Sequence, residues 1–276
     1  MIAFTKGHGT ENDFLIVADP DGSFRPDPSW IAAVCDRRAG VGADGLLRVV
    51  RTAKAEGYES QAGQAEWFMD YRNSDGSIAE MCGNGVRVFA RYLVDQGLAQ
   101  AGEFGVGTRG GVKQVRVPEQ GGDITVSMGV PRLPEGRASV RVGAEWQTAE
   151  NVDMGNPHAV VFVDDVAEAG PLLESPEFAP AEVYPNGVNI EFVARVAKHH
   201  IRMRVFERGS GETRSCGTGA CAAMIAAARR DKAQPGTPYL VDVPGGRLVI
   251  VERQDGQVEM TGPAVLVAHG ELRELK

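Results

Sequence analysis

The sequence predicts a sheet-rich α/β fold built from two structurally related halves. Thirty-five glycines and 15 prolines among 276 residues imply many turns. Short β-like runs recur along the chain, whereas only a few stretches have the apolar spacing of a helix. A Cys-Gly-x-Gly turn occurs twice, each time directly before a helical stretch. These observations favour strands joined by short turns over a helical bundle.

The predicted strands are runs rich in β-branched and aromatic residues, separated by clusters of Gly, Pro, Asn and Asp. Their short spacing is typical of antiparallel or mixed sheets. In chain order they are Phe14–Ala18, Leu46–Val50, Glu66–Tyr71, Gly111–Val117, Ile124–Met128, Ala159–Val163, Asn189–Val193, His200–Glu207, Tyr239–Val243, Arg247–Glu252 and Val258–Thr261.

Three segments have helical patterns. Asp27–Arg38 opens with Pro and Ser and carries its large apolar residues on one side. Val86–Gln96 ends at Gly97, a residue that commonly terminates helices. Ala220–Arg230 is rich in alanine and has a basic last turn, which the helix dipole favours.

An internal repeat relates the two halves. Cys216 follows Cys82 by 216 − 82 = 134 positions, and at the same offset Trp67–Arg72 falls on Ile201–Phe206. We therefore expect one half over residues 1–122, carrying Cys82, and the other over residues 123–262, carrying Cys216. Because the repeat has ended by then, we expect residues 263–276 to return to the first half.

Each Cys-Gly-x-Gly turn places a thiol at the start of a helix. Unpaired backbone N–H groups and the positive end of the dipole stabilise a thiolate there, and the same groups can bind a carboxylate. A single copy is equally consistent with a small residue chosen for packing. Two copies at matched positions favour a functional interpretation, and we expect the helix ends to lower the thiol pKa values.

Two thiols suit the inversion of a stereocentre. Such a reaction needs a base on one face of a Cα–H and an acid on the other, so that one group is ionised and its partner is protonated. The carbanion that forms also needs its carboxylate held by fixed donors, which helix N-termini supply.

Charge and composition exclude several classes. The formal net charge of −8 argues against a general electrostatic grip on nucleic acid or an anionic membrane. The sequence has no apolar run of membrane-spanning length and no signal-peptide pattern, so we expect a soluble, cytoplasmic protein with reduced cysteines. These observations do not exclude a protein that acts on a small-molecule substrate.

Metal and dinucleotide sites are not predicted. The chain has no Cys-x-x-Cys or His-rich spacing. Two Gly-x-Gly-x-x-Gly matches, Gly40–Gly45 and Gly105–Gly110, lack the strand–turn–helix context of a dinucleotide site and are interpreted as turns.

Six segments together resemble a known family, the diaminopimelate epimerases, which are pyridoxal-independent amino-acid epimerases. The segments are Lys6–Val17 (KGHGTENDFLIV), Gly40–Leu47 (GVGADGLL), Asn73–Gly85 (NSDGSIAEMCGNG), Met154–Val161 (MGNPHAVV), Gly187–Phe192 (GVNIEF) and Phe206–Ala222 (FERGSGETRSCGTGACA). The resemblance is collinear over nearly the whole chain. It implies two pseudo-symmetric domains, each a mixed, mainly antiparallel sheet wrapped around a central helix, with substrate between the halves. It also implies a cofactor-free homodimer that interconverts LL- and meso-2,6-diaminopimelate on the route to lysine and peptidoglycan precursors.

The resemblance also implies roles for individual residues. Cys216 is similar to the proton acceptor and Cys82 to the donor in the LL-to-meso direction. The residues similar to the family's carboxylate-holding main chain are Gly83, Asn84, Gly217 and Thr218. Those similar to its substrate-binding set are Asn12, Asn73, Asn156, Asn189, Glu207 and Arg208, and those similar to groups that tune the thiol pKa values are His158 and Glu207. Gly45 departs from the family, which often has Gln there, so it is not counted as a ligand.

Several of these residues also have structural interpretations. Asn73 and Asn189 fit turns that asparagine favours for local hydrogen bonding. Glu207 and Arg208 are adjacent and would point to opposite faces of a regular strand, so only a bend brings both to one ligand. The remaining cysteines, Cys35 and Cys221, are expected to be buried as small hydrophobes.

Three other functions stay open on the sequence alone. One is a proline or hydroxyproline racemase or epimerase of the same fold. Another is a thiol-disulfide redox protein that pairs Cys82 with Cys216. The third is a catalytically silent binding protein.

Overall fold

The computed structural model describes residues 1–273, which contain three α-helices and 18 β-strands. Two compact units account for the internal contacts. The first comprises Met1–Val126 with the chain from Gly262 onward, and the second comprises Ser127–Thr261. Each unit is described separately below.

The first unit contains a mixed sheet in which most neighbours are antiparallel. Its strands lie in the order β18-β1-β2-β3-β4-β5-β6-β7. Their bounds are β1 Ile2–Gly9, β2 Asn12–Ala18, β3 Gly45–Arg51, β4 Trp67–Asn73, β5 Gly102–Gly107, β6 Lys113–Val117, β7 Ile124–Gly129 and β18 Val265–Leu272, with β7 beginning in this unit. The C-terminal strand thus pairs with the N-terminal one.

The second unit has a sheet of the same kind. Its main strand order is β11-β8-β9-β10-β12-β13-β15-β16-β17, and β14 forms a hairpin on the far end of β13. The bounds are β8 Ala138–Val142, β9 Glu145–Asp153, β10 Pro157–Val163, β11 Phe178–Ala179, β12 Asn189–Ala197, β13 His200–Glu207, β14 Gly211–Thr213, β15 Pro238–Val243, β16 Gly246–Glu252 and β17 Val258–Gly262.

The two sheets repeat one sequence of strand orientations. From β1 to β7, successive neighbours pair antiparallel, parallel, antiparallel, parallel, antiparallel and antiparallel. From β9 to β17 the neighbours of the main order follow the same series. The repeat expected from the offset between the cysteines is therefore confirmed in the topology, with β4 corresponding to β13 and β2 to β10.

A buried helix forms the centre of each unit. Helix α2 (Gly83–Asp95) contacts β1, β2, β3, β4, β6 and β18, and all of Gly83–Ala90 is buried. Helix α3 (Gly217–Asp231) contacts β9, β10, β12, β13, β15 and β16, and all of Gly219–Ala228 is buried. A helix that is buried all round must lie inside the core rather than on its surface. The predicted fold class, a sheet around a central helix, is confirmed within each unit.

The third helix, α1 (Pro28–Cys35), packs its apolar side on Leu15, Val17 and Leu46 of the first unit. It is shorter than the predicted Asp27–Arg38. Asp36 has an extended backbone, and its carboxylate accepts hydrogen bonds from the backbone N–H groups of Arg38 and Ala39, which ends the helix. None of the helices in residues 1–273 has the length and apolar character that a membrane span requires.

Other bounds also differ from the predictions. Helices α2 and α3 start three residues earlier than predicted, because the glycine-containing segment after each cysteine already forms the first turn. Strands β1, β5, β8, β9, β11, β14 and β18 were not predicted from the sequence. The interpretation of Gly105–Gly110 as a turn is wrong for Gly105 and Gly107, which lie in β5. A Cβ at Gly105 would lie 2.2 Å from the Gln64 carbonyl oxygen, so close approach of another segment explains this glycine.

The small side chains of α3 predict a specific sensitivity to size. Ala223 is fully buried among the surrounding strands. Ala223→Leu is expected to lower the free energy of unfolding by about 1–3 kcal/mol, since an overfilled core forces neighbours from their preferred positions. Ala33→Leu, at an exposed position of α1, is the matched control and should leave it nearly unchanged. Equal denaturation curves for wild type and Ala223→Leu would contradict this packing.

Candidate active site

Cys82 is the N-cap of α2. Its backbone is extended, and its sulfur accepts a hydrogen bond from the backbone N–H of Gly85 at 3.5 Å. This bond satisfies one of the donors that a helix start leaves unpaired. The expected placement of this thiol at a helix start is confirmed. The backbone N–H groups of Gly83 and Asn84 lie in the same first turn.

The side chain of Asn12 links Cys82 to a carboxylate. The Cys82 thiol donates to Asn12 Oδ1 over 3.4 Å, and the Asn84 amide donates to the same oxygen over 3.2 Å. Asn12 Nδ2 donates to Asp44 Oδ2 at 2.8 Å. Because a carboxylate only accepts hydrogen bonds, Asp44 determines which way the Asn12 amide faces. The amide oxygen therefore faces the sulfur, where it favours the protonated thiol.

Asp44 was not identified from the sequence as a site residue. It is held by Arg37, whose guanidinium donates to Asp44 Oδ1 at 2.6 Å and also bonds Asp13. The sequence did contain a signal for Asp44, because this residue lies in the Gly-x-Gly-x-Asp segment that resembles the family.

Asn73 makes its hydrogen bonds within its own turn. It ends β4, and its amide donates to the Ser77 hydroxyl at 2.9 Å. The loop that continues to Cys82 is tied down by Arg109, which donates to the carbonyl oxygens of Tyr71 and Ala79 at 3.0 and 3.3 Å. In this structure the contacts of Asn73 are therefore those of a turn residue with local hydrogen bonds.

Cys216 is the N-cap of α3 and repeats the arrangement of Cys82. Its sulfur accepts a hydrogen bond from the Gly219 N–H at 3.4 Å and lies 3.5 Å from the Thr218 hydroxyl. Burial raises the pKa of the Cys216 thiol well above its ordinary value, and the carboxylates of Glu207 and Glu191 raise it further. The expectation that the helix end lowers the thiol pKa is wrong for Cys216, because burial and two negative charges outweigh the two donors.

Glu207 lies at the end of β13 beside Cys216. Burial raises the pKa of Glu207, whereas hydrogen bonds from the Thr213 hydroxyl and the Cys216 thiol lower it. Strand β14 brings Thr213 to this position through the tight turn that follows Glu207. The pair is thus a thiol that donates to a desolvated carboxylate, an arrangement in which the carboxylate can accept the thiol proton.

Arg208 points away from this pair. Its side chain is exposed and donates to the Asn186 carbonyl oxygen at 3.0 Å, while its backbone N–H donates to Asn189 Oδ1 at 2.9 Å. No carboxylate within residues 1–273 forms an ion pair with its guanidinium. Asn189 therefore supports the turn that carries Arg208.

A fully buried pair, His158 and Glu191, lies behind Cys216. Parallel pairing of β10 with β12 sets His158 opposite Asn189 and Val160 opposite Glu191, so the two side chains share one face of the sheet. His158 Nδ1 lies 2.6 Å from Glu191 Oε1, and Nε2 lies 3.0 Å from Asn156 Oδ1. Sequence reasoning missed Glu191, although a carboxylate inside the apolar run Asn189–Ala194 (NIEFVA) is itself a signal.

The other two cysteines are buried as expected. Cys35 is 3% exposed and Cys221 is fully buried, and all four cysteines are free thiols. Burial raises the pKa of Cys35 to about 11, which makes it a poor nucleophile or base near neutral pH.

Comparison with known proteins identifies the family. The family model described as diaminopimelate epimerase matches residues 4–134 and 151–267. The chain belongs to the diaminopimelate epimerase family. It is 60% identical to the diaminopimelate epimerase of Streptomyces coelicolor, over 98% of this chain and 95% of that one. It is 50% identical to the diaminopimelate epimerase of Thermobifida fusca, over 98% and 97% of the two chains. Diaminopimelate epimerases are isomerases.

Solved structures of remote sequence share the fold of this diaminopimelate epimerase family member. A phenazine biosynthesis protein of the PhzF family from Bacillus anthracis superposes with a TM-score of 0.69 at 18% identity, covering 99% of both chains. A hydroxyproline epimerase from Agrobacterium vitis gives a TM-score of 0.69 at 14% identity, covering 98% of this chain and 90% of that chain. At these identities the likeness concerns the fold.

The geometry at Gly45 accounts for a glycine at this position. A Cβ there would lie 2.4 Å from the Arg72 carbonyl oxygen and 2.8 Å from the Tyr71 ring. Gly45→Gln is therefore expected to lower the free energy of unfolding by about 1–3 kcal/mol, because strand β4 must move to admit the side chain. The control is Gly63→Ala, where nothing lies within 4 Å of the added Cβ. Thermal unfolding of the two variants measures the difference in stability. An unshifted midpoint for Gly45→Gln would show that β4 does not exclude a side chain at this position.

The carboxylate beside Cys216 predicts the sign of a pKa change. Glu207→Gln removes a negative charge that opposes the thiolate, so the pKa of Cys216 should fall. The alkylation rate of Cys216 by iodoacetamide, followed by mass spectrometry across pH, should reach its midpoint at lower pH in this variant. Glu150→Gln, an exposed position on β9, is the control with the same charge change and should not shift the midpoint. A midpoint that stays or rises in Glu207→Gln would contradict the geometry.

Proposed function

We propose that this chain is a cofactor-independent isomerase that interconverts LL- and meso-2,6-diaminopimelate through Cys82 and Cys216. The family membership supports the reaction. The observation that carries the mechanism is the repeated site, in which each unit starts its central helix with a cysteine whose sulfur accepts a backbone N–H. Such a repeat suits a reaction that needs two proton-transfer groups of similar chemistry.

In the LL-to-meso direction, Cys216 acts as the base. Its thiol proton moves to Glu207, and the resulting thiolate removes the proton from the substrate Cα. The electron pair of the broken C–H bond delocalises onto the substrate carboxylate. The Gly219 N–H and the Thr218 hydroxyl stabilise the thiolate while it exists. Desolvation makes the thiolate a stronger base, which suits removal of a weakly acidic Cα proton.

Cys82 delivers the second proton. Its S–H donates to the Asn12 amide oxygen, which supports a thiol that is protonated before the reaction. Transfer of that proton to the opposite face of the carbanion forms the inverted Cα–H bond and leaves a thiolate at Cys82. The reverse reaction exchanges the two roles.

The substrate carboxylate at the reacting end is held by the first turns of α2 and α3. The backbone N–H groups of Gly83, Asn84, Gly217 and Thr218 lie in the first turns of these helices, where the positive end of the dipole favours a bound carboxylate. Such donors strengthen their hold as negative charge moves onto the carboxylate oxygens.

The far end of diaminopimelate carries a second amino acid head. Arg208 supplies a cation for its carboxylate, and amide groups supply donors and acceptors for its ammonium. The amides proposed for substrate binding are those of Asn12, Asn73, Asn156 and Asn189. Asn73 would exchange its bond to Ser77 for one to substrate.

The wider setting is also proposed. Diaminopimelate is a precursor of lysine and peptidoglycan, so we place the enzyme in the cytoplasm with that substrate as its partner and without nucleic acid or membrane partners. A homodimer, and the division into domains 1–122 with 263–276 and 123–262, remain predictions.

The direct test is epimerisation of LL-diaminopimelate by the purified chain. Wild type should form the meso isomer, and Cys82→Ala and Cys216→Ala should each lose at least about 100-fold in kcat, since each removes a proton-transfer group. Cys35→Ala is the matched control and should retain activity, because that buried thiol lies in α1. Circular dichroism checks that the variants fold.

Other results of the same assay would decide for the alternatives. Racemisation of proline or hydroxyproline without turnover of diaminopimelate would establish a different substrate for the same fold. Rapid turnover with dithiol reductants in the absence of any amino acid would establish a redox protein. Full epimerase activity in either cysteine variant would overturn the two-thiol mechanism.

A further inference from the structure

A continuous series of polar contacts joins the buried carboxylate of Glu191 to the Cys216 sulfur. Glu191 bonds His158, and His158 Nε2 lies 3.0 Å from Asn156 Oδ1. Asn156 Nδ2 donates to the Thr218 hydroxyl at 3.4 Å, and that oxygen lies 3.5 Å from Cys216 Sγ. All five residues belong to the second unit.

Chemistry assigns one direction to these bonds. His158 Nδ1 and the Glu191 carboxyl group share one hydrogen bond. The Asn156 amide oxygen only accepts, so Nε2 carries the proton of the next hydrogen bond. Asn156 then donates from its Nδ2 to Thr218, which leaves the Thr218 hydroxyl hydrogen free to point at the sulfur. Each group donates to the next, starting from the Nε2–H of His158.

We propose that Glu191 is a positioning residue for the epimerisation: through His158 and Asn156 it fixes the Thr218 hydroxyl as a hydrogen-bond donor to the Cys216 sulfur. The inference rests on the proposed role of Cys216 as the base. Its consequence is that the thiolate meets a donor that is already oriented when it forms. Without Glu191, the ring proton of His158 is free to move to Nδ1. Nε2 would then accept from Asn156, the Asn156 amide would turn over, and Thr218 would donate to Asn156 instead of to sulfur.

The second glycine of the motif supports this role. A Cβ at Gly219 would lie 2.7 Å from Glu191 Oε1, so only glycine leaves room for the carboxylate over the first turn of α3. Glu191 and His158 are both fully buried, and an ionised carboxylate is stable there only when it is paired. Glu191 Oε2 has no hydrogen-bond partner within residues 1–273, so the bond to His158 is the one that holds this carboxylate.

Glu191→Gln tests the first link. Nitrogen-15 NMR of histidine-labelled enzyme should show a proton on Nε2 of His158 in wild type and loss of that proton in the variant. The kcat for epimerisation should fall about 10- to 100-fold, the usual effect of removing a group that orients a catalytic residue, with KM within about threefold. Glu150→Gln, on exposed β9, is the control and should match wild type in both measurements.

Thr218→Val and Thr218→Ser test the last link, and they do so even if Glu191→Gln fails to fold. Thr218→Val removes the donor to sulfur, so kcat should fall about 10- to 100-fold and alkylation of Cys216 by iodoacetamide at pH 8 should slow. Thr218→Ser keeps the hydroxyl and should recover most of the kcat and of the alkylation rate that Thr218→Val loses. Neither change should alter the His158 spectrum.

The proposal is overturned if the His158 spectrum is the same in wild type and Glu191→Gln. It is also overturned if Thr218→Val alkylates and epimerises at wild-type rates. The His158 spectrum and the alkylation rate need no substrate. A wild-type enzyme that shows them as expected but does not epimerise diaminopimelate would therefore refute the proposed function while leaving the hydrogen-bond series in place.

Discussion

The cysteine that caps a buried helix is the feature on which each unit depends. An N-cap residue must have an extended backbone and must offer an acceptor to the third residue of the helix. Sulfur fills that role at Cys82 and at Cys216, and Gly219 admits Glu191 Oε1 at a distance that a Cβ would block. Because the helix behind each cysteine is enclosed by strands, its first turn is held rigidly. Each thiol therefore stands at the start of a helix that is buried inside its unit.

The two caps share their backbone geometry but differ in their electrostatic surroundings. The thiol of Cys82 faces a neutral amide oxygen, whose direction Asp44 determines from a distance. The thiol of Cys216 faces carboxylates and is almost fully desolvated, at 5% exposure. Two units of the same topology can thus place their thiols in different surroundings, which suits the proposed roles of an acid and a base. In the proposed mechanism, proton transfer to Glu207 activates Cys216, whose pKa is raised by burial.

Much of the fold was predictable because it is repeated. The offset between the two cysteine turns anticipated that β4 corresponds to β13, and the strand orientations of the two sheets agree throughout. Strands β1 and β18 were missed because they pair across almost the whole chain length, and β18 mixes exposed apolar residues such as Val267 with polar ones. Alternation alone gives no signal for such a strand.

The site was predictable where a motif carries it and not where tertiary contacts create it. Cys82, Cys216 and Asn12 lie in recognisable segments, and their contacts follow from the local turns. The influence of Glu191 depends on parallel pairing of β10 with β12, and the raised pKa of Cys216 depends on burial. Neither is visible in the local sequence. The prediction of a lower thiol pKa considered only the helix start. It left out the carboxylates that folding brings close to Cys216.

The most direct test of the central claim follows the origin of the Cα hydrogen during the first part of the reaction. LL-diaminopimelate would be incubated with enzyme in deuterated water, and isotope content would be measured separately in substrate and product before much conversion. If one cysteine removes the proton and the other supplies a different one, the meso product carries a Cα deuterium while the remaining LL substrate keeps its protium. Deuterium that enters the remaining substrate as fast as it enters the product would show a single group acting on both faces, and would contradict the account.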